Sequence, residues 1–439
     1  MTDRRRLAAD VVRRLRAAGH EAFLAGGCVR DRLLGRAPQD YDVATSAPPE
    51  AVQGIFPRTV PVGAQFGVIL VVEHGARFEV ATFRSDDAYV DGRRPSAVHF
   101  GSAREDARRR DFTINALLED PLTGEIHDFV GGVADLRAGV IRAIGDAGAR
   151  IAEDRLRMLR AVRFAARLGF RIHAETLDAI VAAAPSLPDI AAERIGDEIV
   201  KILTEGSARR GFELLDATGL LAVVLPEVAR MQGVEQSPDH HPEGDVWQHT
   251  LLLLDQLASG VPETLALGAL LHDVAKPLCA GRKGNHITFY GHSAVGADLA
   301  VEICQRLRRS RATWEQVDYL VRHHLRLVQA PEMRLATLKK MLGEEGFPEL
   351  CHLVRLDGLA SSGDLRYVLF CERRAAELGT EALRPPRLLG GADLLALGYR
   401  SGPRIGEILR AVEDAQLEGD VRTREDAEAM VRERFPLER

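Results

Sequence analysis

The strand-like runs of this 439-residue chain fall in its first third. The β-branched stretches Gly67–Glu73 (GVILVVE) and Arg77–Phe83 (RFEVATF) read as two strands of one sheet. Upstream, residues 4–18 read as a helix, Ala22–Leu24 as a short strand and Val29–Leu34 as a second helix. Another strand is expected to carry Asp40-Tyr41-Asp42-Val43. From about residue 135 strand signals stop and helical periodicity takes over, with breaks at Pro185, Pro188, Pro226, residues 240–244 and Arg384-Pro385-Pro386-Arg387. The predicted fold class is therefore α+β: a small head with a mixed or antiparallel sheet, then an elongated all-α neck, body and tail. The expected divisions are head 1–135, neck 136–205, body 206–383 and tail 384–439.

Net charge is −6, so no global basic field advertises nucleic acid, although a local basic strip would suffice to follow a phosphate backbone. The five cysteines are scattered, odd in number and form no CxxC pair, which argues against a disulfide framework or a thiolate zinc site. A reducing cytoplasm fits. The segment MTDRRRLAADVVRRLRAAG reads as an amphipathic helix rather than a signal peptide, and no apolar run approaches a membrane span.

The stretch FLAGGCVRDRLLGRAPQDYDVAT (residues 23–45) carries the first chemistry. Carboxylates at i and i+2 of a strand point to one side, so Asp40 and Asp42 can share divalent cations that offset their repulsion. Magnesium suits such a pair, because it takes a few carboxylates together with substrate phosphate oxygens. Gly26-Gly27 lets the backbone approach a triphosphate ahead of a helix N-terminus, and Arg30 lies in the first turn of that helix.

GGCVRD followed by DYDVAT resembles the head signature of the class II tRNA nucleotidyltransferase and poly(A) polymerase family, whose heads are polymerase β-like. Four more of that family's motifs follow in order: RRRDFTINAL (108–117), DLRAGVIRAIG (135–145), EDRLRMLRAVRFAARLGF (153–170) and ERIGDEIVKIL (193–203). The resemblance implies two-metal transfer of a nucleotide from CTP or ATP to an RNA 3′ end, with Asp40 and Asp42 as catalytic metal ligands. Glu79 is a weaker third acid. Arg110 and Asp111 are implied to bind or orient the nucleotide. The resemblance also makes Asp154 and Arg157 a protein template for the base, with Arg160 and Arg163 near the nucleotide. The chemistry is reasonable, since an acceptor-only Asp beside a donor-only Arg matches the edge of cytosine or adenine and clashes with guanine or uracil. Glu153-Asp154 is expected to open the helix bearing these arginines, with its apolar residues on the opposite side.

Within that family, FPRTVPVGAQFGVILVV (56–72), the full-length loop FRSDDAYVDGRRP (83–95) and the tail segment 388–427 all look like the CCA-adding side. The expected activity is addition of CCA to tRNA, with the tail at the tRNA elbow. Poly(A) addition and CC-only or A-only addition are the alternatives. His249, His272-Asp273 and Asp357 match the H…HD…D order of the HD phosphohydrolase superfamily, which implies a second divalent metal in the body. His292 and His323 or His324 would enlarge that site, and Lys276 is consistent with phosphate nearby. A competing reading makes the chain chiefly an HD hydrolase with an RNA-binding head, but a head that only bound RNA would not need paired carboxylates.

Overall fold

The computed structural model describes residues 3–63, 67–86, 89–90, 94–95, 98–237, 241–284 and 286–437. Parts of two diagnostic stretches, 64–66 in the first and 87–88 with 91–93 in the loop, lie outside the described residues. The chain divides into two compact units, Met1–Ala229 and Arg230–Arg439.

In the first unit, α1 (Asp3–Ala17) places Ala8, Val11, Val12 and Leu15 at helical spacing, and all four are fully buried. This face packs against β1 (Ala22–Ala25), which leads into α2 (Gly27–Leu33). Next come β2 (Asp42–Thr45), α3 (Pro49–Ile55), β3 (Thr59–Gly63), β4 (Val68–Glu73) and β5 (Ala76–Thr82). The strands join Leu118–Glu119 and Ile126–His127 in a seven-stranded sheet, ordered 126–127, 118–119, β1, β2, β5, β4, β3. Only the β2–β5 pairing is parallel; the other neighbours run antiparallel, so the sheet is mixed. Alternation along β5 sends Phe78 and Val80 into the core and leaves Glu79 on the opposite, open face. In register, Val43 faces Val80, so one residue back Asp42 comes beside Glu79.

The helices that complete this unit are α4 (Ala103–Arg108), α5 (Gly132–Ala138), α6 (Ala147–Glu153), α7 (Arg157–Leu168), α8 (Ala174–Ala183), α9 (Ala192–Thr204), α10 (Ala208–Ala217), α11 (Leu220–Val224) and α12 (Pro226–Ala229). α10 packs on α7 and α9, with its Phe212 and Leu215 fully buried, which holds the segment after residue 205 in the first unit.

The second unit is mainly helical. Helices 246–255, 263–271, 292–306, 311–323 and 347–360 pack around one another. Gly268 permits a close approach, since a Cβ there would stand 2.9 Å from Leu320 Cδ1. The tail helices 391–396, 403–418 and 424–434 enclose their own cluster, including Leu394, Tyr399, Ile408, Ala427 and Val431.

The expectation of purely helical segments after residue 135 needs correction. A parallel pair joins Val140–Ile141 to Arg171–Ile172, and an antiparallel hairpin joins Gly281–Lys283 to His286–Thr288. Runs of two or three residues are too short to show a period, which is why the sequence hides them. No helix among the described residues is long and apolar enough to cross a membrane, and all five cysteines are free thiols.

Candidate functional site

A cavity of about 490 Å³ in the first unit gathers Gly26, Gly27, Arg30, Asp42, Arg109, Arg110, Asp111, Asn115, Asp154, Arg157, Arg160 and Phe164. Gly26 is required twice over. Its φ is 72°, and a Cβ would come 2.9 Å from Arg110 Nη1. Its N–H donates to Leu117 O at 3.0 Å, so the amides left for an anion are those of the first turn of α2.

The guanidinium groups on the wall are held before any ligand arrives. Arg30 is buried and donates to Asp31 at 2.8 Å and to Asn115 Oδ1 at 2.7 Å. Arg110 donates to Asp106 and to Asn115 O at 3.1 Å. Asn115 also donates to Asp111 Oδ1 at 3.0 Å, and Arg160 closes on Asp111 Oδ2 at 2.6 Å. Burial alone would raise the Asp111 pKa, but Arg160 and these hydrogen bonds bring it down to about 2. Arg30, Arg160 and Arg163 stand 5.2, 5.3 and 4.3 Å from the centre of the Phe164 ring.

The carboxylates behave differently. Asp42 is exposed by accessible area yet lies in the cavity wall, where protein crowds its carboxyl on the inner side. That partial removal from water, and then the charge of Glu79, pushes its pKa up to about 6, with Arg110 opposing and Asp40 adding a smaller push. Two carboxylates side by side in a cavity wall form an oxygen donor set whose mutual repulsion a divalent ion would offset, so the residues fit such an ion. Asp40 differs from expectation: β2 begins only at Asp42, and Asp40 precedes it, exposed, paired with Arg4 at 3.4 Å and outside the cavity lining. Glu79 therefore acts on Asp42 more strongly than Asp40 does in this arrangement.

The neck residues also depart from their simple reading. Glu153 ends α6 and Asp154 follows in extended conformation at φ −146°, so the pair does not open a helix. Asp154 accepts Leu156 N–H at 3.1 Å and is clamped by Arg194 of α9, at 2.8 Å to Oδ2. Arg157 donates to Glu153 at 2.6 Å and to Arg150 O at 2.5 Å. Arg163 is not in the cavity lining. It was expected near the nucleotide but is buried, donating to Glu198 at 2.7 Å and Glu205 at 3.0 Å, because α9 covers the part of α7 that carries it. Sequence reasoning passed over Asn115, Arg109, Phe164 and Arg194. All four sat inside quoted motifs, Asn115 and Arg109 in RRRDFTINAL, Phe164 in EDRLRMLRAVRFAARLGF and Arg194 in ERIGDEIVKIL, but their part in the cavity depends on contacts between those segments.

In the second unit, His249, His272, Asp273, His292, His324 and Asp357 converge from five helices or their ends. The ligand atoms of His249, His272 and Asp357 lie within 4.8 Å of one another, as do those of Asp273, His292 and His324. His323 is outside both groups. Beside them a cavity of about 400 Å³ is lined by His241, Lys276, Tyr290 and Ser293 among others. Lys276 Nζ lies 2.7 Å from Asp273 Oδ2 and 2.6 Å from Gln236 Oε1. Burial opposes charge on Asp273, but the His272 ring and the Lys276 ammonium hold it well below the usual carboxylate range. Burial also pushes His324 down to about 4. Burial would lower His249 too, but Asp357 and Glu243 outweigh it and raise it to about 9. Sequence reasoning also missed Glu243, which accepts from both His249 Nδ1 and His241 Nδ1, at 2.7 and 2.8 Å.

A mixed sheet carrying a glycine turn and a strand-borne carboxylate, followed by helices, defines a nucleotidyltransferase head with accessory helical domains. Residues 22–142 match the family described as the poly A polymerase head domain. Residues 169–232 match the probable RNA and SrmB-binding site of polymerase A, and residues 245–356 the HD domain. A CCA-adding enzyme of Latilactobacillus sakei is 41% identical over 281 residues, covering 62% of this chain and 70% of that protein. One of Leuconostoc mesenteroides is 47% identical over 208 residues, covering 47% of this chain and 52% of that protein. The chain spans about half the length of most of the curated relatives it matches. The crystal structure of the Bacillus stearothermophilus CCA-adding enzyme in complex with CTP superposes with a TM-score of 0.74 at 28% identity, covering 99% of this chain and 98% of that one. The chain belongs to the CCA-adding enzyme family. A nucleotidyltransferase head and an HD domain both imply use of divalent metal.

Proposed function

We propose that this chain adds CCA to the 3′ end of tRNA from CTP and ATP, without a template. The observation that carries this reading is the cavity that sets Asp42, the Arg30–Asn115–Arg110 wall and the Asp154–Arg157 corner around one space. The CTP complex of the Bacillus relative, alike over almost the whole chain, supports it. Asp42, with Glu79 beside it and Asp40 two residues upstream, would hold Mg²⁺, which when bound lowers the barrier to attack on the α-phosphate and steadies the leaving phosphates. Arg30 and Arg110, already fixed by Asp31, Asp106 and Asn115, receive the triphosphate without first losing side-chain freedom. Arg160, locked to Asp111, closes the same wall. Asp154 keeps acceptor capacity beyond its bonds to Arg194 and Leu156, so it can take an exocyclic amine while Arg157 meets a ring acceptor. Arg163 acts through packing.

In this reading residues 1–135 are the catalytic head, 136–205 the neck that recognises the base, 206–383 the body and 384–439 the tail that meets the tRNA elbow. The cytoplasm is the matching compartment. The test offers tRNA ending before CCA with CTP alone, ATP alone and both. Two C additions with CTP, and one A only after them, support the proposal. A ladder of A on unrelated RNA would show poly(A) addition, and a stop after CC or a lone A would show a partial enzyme.

A second reading concerns the second unit, where His249, His272, Asp273 and Asp357 come together in superfamily order. We infer that they hold a divalent ion and that the adjoining cavity hydrolyses a phosphate ester, with Lys276 offsetting phosphate charge. Release of phosphate from 2′-phosphates, or opening of 2′,3′-cyclic phosphates to the monoester, lost in Asp273→Asn, tests it; neither reaction with any divalent metal would refute it.

A further inference from the structure

The mouth of the second unit's cavity carries features that holding an ion does not need. The cavity measures about 400 Å³, toward the small end of ligand sites at roughly 300–1,000 Å³, so it has room for about one nucleotide. Tyr290 lines it and is still 76% exposed, and Leu325 lines it at 46% exposed. Buried Lys276 holds its ammonium 5.3 Å from the centre of the Phe289 ring and 2.7 Å from Asp273 Oδ2. A single exposed tyrosine is ordinary on a protein surface. What distinguishes Tyr290 is the charged strand pair that runs up to it.

The hairpin of Gly281–Lys283 and His286–Thr288 pairs Gly281 with Thr288, Arg282 with Ile287 and Lys283 with His286. Opposite residues of an antiparallel pair share a face, and so do residues two apart along a strand. Lys283, His286 and Thr288 therefore lie on one face, and Thr288 lines the cavity. A Cβ on Gly281 would meet Thr288 Oγ1 at 3.4 Å, as that shared face requires. Lys283 and His286 are exposed, and neither has an ion-pair partner among the described residues. Arg282 falls on the opposite face, 3.5 Å from Glu235, and lines a separate cavity with it. Arg326, next to Leu325 in the chain, is taken by Glu344 at 2.8 Å. Of these three basic side chains, Lys283 is the one left for a ligand. Two residues along a strand cover about 7 Å, so from Thr288 to His286 and its neighbour Lys283 the face advances by about one step of an extended nucleotide chain.

We propose that this hairpin face and Tyr290 form a track for single-stranded RNA, so that the second unit takes its phosphate ester from the 3′ end of an RNA chain rather than from a free nucleotide. Tyr290 stacks on the terminal base, the terminal 2′-phosphate or 2′,3′-cyclic phosphate enters beside Lys276, and the preceding phosphodiester meets Lys283 and His286. An aromatic platform joined to a basic line is how proteins hold single strands without reading their sequence. A paired terminal base is disfavoured, since it must first leave its own stack to lie on Tyr290. The proposal rests on the phosphate-ester reading of the second unit and names the substrate of that site.

The experiment gives the full chain, with Mn²⁺, a short single-stranded RNA ending in a 2′,3′-cyclic phosphate, and separately the cyclic mononucleotide of the same base. The RNA is expected to show a kcat/KM at least about tenfold higher. Tyr290→Ala should raise its KM roughly tenfold with little change in kcat, and Tyr290→Phe should restore it. Lys283→Ala should remove much of the RNA's advantage and lower the slope of log KM against log salt by about 0.7. Arg282→Ala, on the other face, should leave both substrates as they were. For a readout independent of hydrolysis, the same RNA with 5-iodouridine at its 3′ end is irradiated after chelation of metal, and the cross-linked peptide should be the one holding Tyr290. Equal kcat/KM for the two substrates, with cross-links outside residues 281–290, overturns the track and leaves the phosphate-ester reading standing. Cross-links at Tyr290 without turnover of either substrate keep the track and overturn the hydrolysis. Neither cross-link nor turnover overturns both.

Discussion

Replacing Arg163 with alanine separates a packing role from a nucleotide-binding one. Arg163 is 6% exposed and its partner Glu198 2%, with a 2.7 Å bond between Nε and Oε2. Removing one member of a buried ion pair leaves the other charge uncompensated and costs about 3–5 kcal/mol. Lys201 lies 3.4 Å from the other Glu198 oxygen and is half-exposed, and Glu205 keeps Arg167, so the lower end, about 3 kcal/mol, is expected. For a unit of this size the midpoint should fall by roughly 6–12 °C. Both tryptophans, Trp247 and Trp314, lie in the second unit, so their fluorescence does not report this loss. Hydrogen exchange along α7, together with far-UV circular dichroism, does. Arg163→Leu with Glu198→Leu should recover most of the stability, because neither charge is then stranded. A single variant that melts like the parent but binds CTP tenfold more weakly would refute the argument and return Arg163 to the nucleotide site.

Four further outcomes are expected. Asp42→Asn should lower CMP incorporation at least about a thousandfold while the midpoint stays near the parent's, and appreciable Mg²⁺-dependent activity would contradict the ligand assignment. Asp154→Ala should relax base choice in a four-nucleotide competition more than it weakens metal dependence, and Arg194→Ala should follow it in part; unchanged selectivity in both would remove them from the template. Asp111, lowered to about 2 in the fold from an unfolded value of 3.8, contributes about 2 kcal/mol that is fully present above pH 4 and disappears as pH falls through 2. Urea unfolding should therefore show Asp111→Asn less stable than the parent at pH 7, with the gap closing at the acid end; a gap independent of pH would count against the Arg160–Asp111 pair. Finally, chelation should lower the stability and the midpoint of the second unit, read through Trp247 two residues before His249, and added Mn²⁺ should restore about 4 kcal/mol of stability at a thousandfold excess over Kd. A midpoint indifferent to both treatments would argue against resident metal.

Much of the head was legible because its signals are local. The burial of Ala8, Val11, Val12 and Leu15 follows the 3.6-residue period, and the inward turn of Phe78 and Val80 follows the alternation of a strand. Gly26 was legible as a turn, and the structure adds the close approach of Arg110. The arginines of α7 were harder. Their spacing places Arg157, Arg160, Arg163 and Arg167 on one broad side, and nothing within the helix says which of them another helix will cover. Glu198 and Glu205, 35 and 42 residues away, decide that Arg163 is buried, while Asp111, 49 residues away, turns Arg160 toward the cavity. Asp154 likewise looked like a helix opener until its own carboxylate bound Leu156 N–H and Arg194 took the other side.

By itself the sequence determined the order of the parts: a sheet-bearing head with a glycine turn and an aspartate strand, then helices with histidines and aspartates in a recognisable order. These follow from periods, turn residues and spacings that act over a few residues. Only the tertiary structure decided which charged groups share a space. It set Glu79 rather than Asp40 hardest against Asp42, sent Arg163 to Glu198, chose His324 over His323, and turned the two oxygens of Asp273 toward separate pairs of imidazoles. Electrostatic interaction depends on distance and on local exclusion of water, and neither exists until distant segments pack.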